Sequence, residues 1–71
     1  MMLKVKNRET GRIYTAIPQA VDLNFNGVWV LRYTIVIQGY VENSFIHCIY
    51  DNDEFNSMYE VLGYDKPLNR G

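Results

Sequence analysis

The sequence predicts an α+β fold: an antiparallel, hairpin-rich sheet of four to five strands with one C-terminal helix. Three observations predict it. The run Val28-Trp29-Val30-Leu31-Arg32-Tyr33-Thr34-Ile35-Val36-Ile37 is dominated by β-branched and aromatic residues, the composition of a strand. The pair Asn26-Gly27 just before it is the strongest two-residue hairpin signal. After Asp51-Asn52-Asp53-Glu54 the apolar period changes: Phe55, Met58, Tyr59 and Leu62 recur at i, i+3, i+4 and i+7, the stripe of an amphipathic helix. A partly open, SH3-like small barrel is the alternative arrangement of the same strands.

Leu3-Lys4-Val5-Lys6 alternates and predicts a strand over 2–7. Asn7-Arg8-Glu9-Thr10-Gly11 has turn composition, and the chain returns as a strand over 11–17, which Pro18 ends or places at a sheet edge. A third strand over 20–25 carries Val21, Leu23 and Phe25 on one side. A tight Asn26-Gly27 turn then sets Phe25 opposite Val28 and Leu23 opposite Val30.

The strand over 28–38 alternates its side chains, so Trp29, Leu31, Tyr33, Ile35 and Ile37 share one face. Val28, Val30, Arg32, Thr34 and Val36 share the other, which is also mostly apolar. Such a strand needs cover on both sides, and periodicity does not choose between its faces. Residues 38–43 form a connection, 44–50 the next strand, and 52–62 the helix. Asp51 is the expected N-cap, with Glu54 three residues on as in a capping box. Gly63 suits the C′ position, Pro67 cannot prolong the helix, and 66–71 is expected to fray.

The 71 residues predict a single domain over 1–71. A chain of this size buries only about 60% of its unfolded surface, and a lone core yields about 3–5 kcal/mol. One cysteine, Cys48, excludes an internal disulfide and suits a reducing compartment. The opening Met-Met-Leu-Lys-Val-Lys carries no apolar leader, and no apolar run approaches the roughly 18 residues that span a bilayer. These features predict a cytoplasmic protein with no membrane partner. A homodimer is expected, because a second copy would cover the second face of the 28–37 strand.

The net charge of −1 hides a segregation. Lys4, Lys6, Arg8 and Arg12 face only Glu9 within residues 1–12, whereas 42–65 hold Glu42, Asp51, Asp53, Glu54, Glu60 and Asp65 without a Lys or Arg. Two candidate surfaces follow. Asp51, Asp53, Glu54 and Glu60 form an acidic contact surface for a protein partner, although carboxylates at a helix start are commonly there for the macrodipole alone. Lys4, Lys6, Arg8 and Arg12, with Tyr14, form a basic hairpin able to follow a phosphate backbone. The sequence pI of about 5.6 makes this second surface the lesser reading, and solvated lysines guarding a strand edge are its ordinary explanation.

Chemistry finds little purchase. His47 and Cys48 are neighbours on a strand and point to opposite faces, so the histidine is not placed to activate the thiol. One His and one Cys cannot make a zinc site within the chain, and no cofactor is implied. Counted from Asp51, a calcium loop would need glycine at the sixth position and glutamate at the twelfth, where Asn56 and Leu62 stand. Phosphate-loop, nucleophile-elbow and dinucleotide motifs are absent from the sequence. Trp29 and the six tyrosines are expected in the core and on the sheet, with Tyr40, Tyr50 or Tyr64 serving as interface anchors where exposed.

The segments Lys4-Val-Lys-Asn-Arg-Glu-Thr-Gly-Arg-Ile-Tyr-Thr-Ala16 and Tyr50-Asp-Asn-Asp-Glu-Phe-Asn-Ser-Met-Tyr-Glu-Val-Leu-Gly-Tyr64 resemble the small accessory proteins of bacteriophages and prophages of low-GC bacteria. The resemblance is one of class: a short Asn/Tyr/Ile-rich chain, a hairpin entry and an acidic terminal helix. It implies a non-enzymatic inhibitor or modulator that binds a host protein, such as a nucleic-acid-handling or defence enzyme. That is the leading expectation. Nucleic-acid binding by the basic hairpin is the second, and an oligomeric nucleotide or small-molecule binder using aromatic stacking and Arg32 is the third.

Overall fold

A computed structural model describes residues 1–38 and 45–65. The connection over 39–44, with Tyr40 and the expected strand start at Ser44, and the tail over 66–71, with Pro67, lie outside the described residues. The elements are β1 (Leu3–Asn7), β2 (Ile13–Asp22), β3 (Trp29–Ile37), β4 (Phe45–Ile49), α1 (Asn52–Met58) and β5 (Tyr59–Tyr64). They form one five-stranded antiparallel sheet in the order β4-β3-β2-β1-β5, with the helix packed on it. The fold class is the α+β arrangement predicted. β4 and β5 are the two edges, so the strands make an open sheet, not a closed barrel.

Three expectations about elements are corrected. The first is at Pro18, which does not divide two strands. β2 runs through it for ten residues, and Pro18 pairs with Tyr33 of β3. Pairing with β1 ends at Leu3↔Ala16, so Pro18 stands where, among the described residues, one side of β2 has no partner strand, a position that tolerates a residue without an N–H.

The second is the turn. The register Asp22↔Trp29 leaves six residues, 23–28, in a loop, so the two-residue hairpin does not form. Compared with the tight turn, the partner of Val30 moves from Leu23 to Val21, a shift of two residues that keeps every side chain on its face. Val28 falls outside β3 for the same reason.

The third is the helix, which stops at Met58 after seven residues. Tyr59 takes extended angles and the chain continues without a loop into β5, which pairs with β1 from Asn7↔Tyr59 to Leu3↔Tyr64. Local periodicity lost to the open edge of β1, where ladder hydrogen bonds are gained and the Tyr59 ring remains buried. Gly63 is therefore not a helix C′ residue. It follows the bulged Leu62 in the strand with φ +153°, a value that favours glycine.

The core lies between the sheet and α1: Val5, Ala16, Tyr33, Ile35, Ile49, Phe55 and Tyr59, with Leu3, Tyr14 and Met58 against it. Phe55 lies flat on Tyr33, ring centroids 3.8 Å apart and planes 1° from parallel. Tyr59 meets Phe55 at 5.9 Å and Tyr14 edge-on at 6.1 Å. The Tyr33 hydroxyl donates to Asn52 Oδ1 at 2.6 Å, which ties β3 to the first residue of the helix. The Tyr33/Ile35 face of β3 is thus the one that meets the helix. Its row is core only in the middle: Trp29, Leu31 and Ile37 are exposed. Leu62, expected on the buried helical stripe, is 45% exposed.

Candidate functional site

β2 and β3 are the longest strands, and their far halves pair only with each other among the described residues. β1 pairs with β2 only over Ile13–Ala16, and β4 pairs with β3 only over Tyr33–Val36. Beyond these limits, among the described residues, Pro18–Asp22 and Trp29–Arg32 project as a two-stranded arm closed by the 23–28 loop.

One carboxylate organises the loop. Asp22 Oδ1 accepts from the Asn26 amide at 3.1 Å and Oδ2 from the Gly27 amide at 2.8 Å. Asn26 Oδ1 in turn accepts from the Val28 amide at 3.1 Å. Gly27 takes φ +84° without steric cost, but Phe25 takes φ +54°, a left-handed conformation that is unfavourable for a bulky side chain. The Phe25 ring stands 93% exposed in this loop. Leu23, Val28, Trp29 (65%) and Leu31 are exposed around it. Trp29 and Leu31 continue the Tyr33/Ile35 row, so the tip joins an extension of the core face that is exposed among the described residues. At the base of the arm Arg32 Nη2 donates to Gln19 Oε1.

Of the four acidic candidates, the structure gathers three. Asp51 caps α1, with Oδ1 accepting from the Asp53 amide at 2.9 Å, and Asp53 and Glu54 stand exposed in the first turn. Glu60 lies on β5 opposite Lys6 of β1, because the helix has already ended. Of the basic candidates, Lys4 and Lys6 share one face of β1, and Arg12 is exposed in the hairpin connection. Arg8, though exposed, lies back along the C-terminal end of α1: its amide donates to the Met58 carbonyl and its Nε to the Asn56 carbonyl, both at 2.9 Å. There it satisfies helix carbonyls and complements the macrodipole, so it does not extend the lysine stripe. A shallow cleft of about 290 Å³ beside it is lined by Asn7, Arg8, Glu9, Ser57 and Met58.

His47 and Cys48 do point to opposite faces. His47 Nε2 meets the Tyr59 hydroxyl at 3.0 Å, and Cys48 Sγ meets Thr34 Oγ1 at 3.6 Å. Burial pushes the Tyr59 phenol above its ordinary pKa, opposed by a hydrogen bond with Asn7 and reinforced by Tyr14. Among the described residues no group of three His, Cys, Asp or Glu side chains is placed to hold a metal ion. Nor is any helix among them long and apolar enough to cross a membrane.

Sequence reasoning missed Leu23, Phe25 and Val28 as a surface. The signal was present in Asp22-Leu23-Asn24-Phe25-Asn26-Gly27: three side-chain acceptors and a glycine within six residues mark a loop that hydrogen-bonds to itself. Comparison with family models, curated proteins and solved structures finds no match to this chain.

Proposed function

We propose that this chain is a non-enzymatic protein-interaction module and that its contact surface is the β2–β3 arm. The single observation that carries the reading is the exposed apolar tip, Leu23, Phe25, Val28, Trp29 and Leu31, held on an ordered, self-bonded loop. Apolar patches of this kind mark association sites, and aromatic side chains are the usual anchors of protein interfaces. Strain at Phe25 supports the reading further, since the loop holds a bulky ring in an unfavourable backbone conformation that leaves it in water. The modulator class implied by the likeness to bacteriophage accessory proteins agrees with a surface-binding role. The acidic helix start contributes less, because Asp51 is occupied in capping and Glu60 stands apart.

A photoreactive phenylalanine analogue at position 25, irradiated in expressing cells, tests the assignment. The expected result is a defined protein adduct that disappears when Trp29→Ser is added. No adduct from a folded chain, or adducts indifferent to Trp29→Ser, would remove the arm from the account.

A further inference from the structure

We infer that the protein seated on the arm is a second copy of this chain, so that two arms pack against each other about a two-fold axis. The inference rests on the reading of the arm as a protein-binding surface and names its partner. Charge argues first. From Pro18 to Arg32 the ionisable side chains are two: Asp22, whose oxygens are engaged by amides of its own loop, and Arg32 at the base, which donates to Gln19. A nucleic acid or a strongly charged protein therefore finds little counter-charge here, whereas one anion and one cation per arm leave two copies without net repulsion.

Area argues second. With a whole aromatic side chain offering 150–250 Å², the five exposed side chains of the tip present roughly 600 Å² per copy. Two such surfaces together reach about 1,200 Å², the lower end of what stable specific interfaces bury. A single arm inserted into a smaller pocket would leave part of that surface wet.

Support argues third. An isolated two-stranded ribbon is marginal in water and gains stability when a further layer covers it. This arm has no third strand or helix over Ala20, Trp29 and Leu31 among the described residues. A second arm supplies that layer with the same apolar side chains, and the small core of a 71-residue chain benefits from the added burial.

Light scattering across a wide concentration range tests the inference on the full chain, beside Trp29→Ser and Phe25→Gly. The expected result is a wild-type mass twice the 8.3 kDa of one chain. Each variant should raise the dimer dissociation constant by about tenfold or more. Circular dichroism reports whether each variant stays folded. Glycine relieves the positive φ at position 25, so Phe25→Gly decides the matter if Trp29→Ser unfolds. A wild-type monomer at every concentration, or a dimer unaffected by Phe25→Gly, overturns the inference. The photoadduct then separates the two readings: an adduct to a different protein preserves the arm as contact surface, and none at all ends both.

Discussion

The carboxylate of Asp22 reaches across its own loop to the Gly27 amide, Oδ2 to nitrogen at 2.8 Å, while its other oxygen takes the Asn26 amide. The same residue closes the strand register opposite Trp29. One side chain therefore ties the last strand residue of β2 to the far side of the loop. Asp22→Ala should free both amides at a cost of about 1 kcal/mol, since the site is open to water. Hydrogen exchange at Asn26 and Gly27 should accelerate while the exchange of β1 and β5 is unchanged. Uniform acceleration across the sheet would show that the clamp acts globally and not on the loop.

Phe25→Gly should leave monomer stability unchanged or raise it by up to about 1 kcal/mol, because left-handed strain is relieved while the unfolded chain gains freedom. Thermal melts at concentrations too low for association would check this. Together with weakened association, such a result would identify a ring retained for contact at the expense of backbone strain. A large loss of stability would place Phe25 in the fold itself.

Phe55→Ala should cost about 3–5 kcal/mol, comparable to the whole stability expected of a core this small, and leave the chain largely unfolded. Phe55 is buried, stacked on Tyr33 and against Tyr59, so its loss removes both ring contacts that α1 makes with the sheet among the described residues. Leu62→Ser should change stability by less than about 0.5 kcal/mol. Chemical denaturation of the pair separates the strand assignment of residues 59–64 from a continued helix, in which Leu62 would be as sensitive as Phe55.

The Tyr59 phenol has its pKa raised in the folded state, chiefly by burial. Folding therefore favours its protonated form. The stability this contributes is complete below the unfolded tyrosine pKa of about 10 and is lost as pH rises from there through the folded value. Denaturation midpoints measured from neutral to strongly alkaline pH should fall in the wild type and fall less in Tyr59→Phe. Equal alkaline loss in both would mean that another group controls that limb.

The α+β class, the antiparallel sheet and the first hairpin were legible because they rest on period and turn chemistry within a few residues: Leu3 to Lys6, Asn7 to Gly11, and the β-branched run over 29–37. The helix was legible at its start, where Asp51 caps it, but not at its end. Phe55, Met58 and Tyr59 satisfy a helical stripe, and only the free edge of β1, far away in sequence, decides that Tyr59 begins a strand. Pro18 misled for the opposite reason, since its tolerance depends on β1 having stopped two residues earlier. The acidic and basic candidates were visible as charge but not as geometry: nothing local says that Arg8 folds back onto the helix end or that Glu60 leaves the helix. The arm was hidden because exposure of Trp29 is a statement about what does not pack on it, which no local pattern contains.

Trp29 is the only tryptophan of the chain and sits on the arm, so its fluorescence reads the central claim directly. On concentration from dilute solution the emission should move from that of a water-exposed indole toward the blue, with the shift abolished by Phe25→Gly. An emission that stays that of an exposed indole at every concentration would contradict the account.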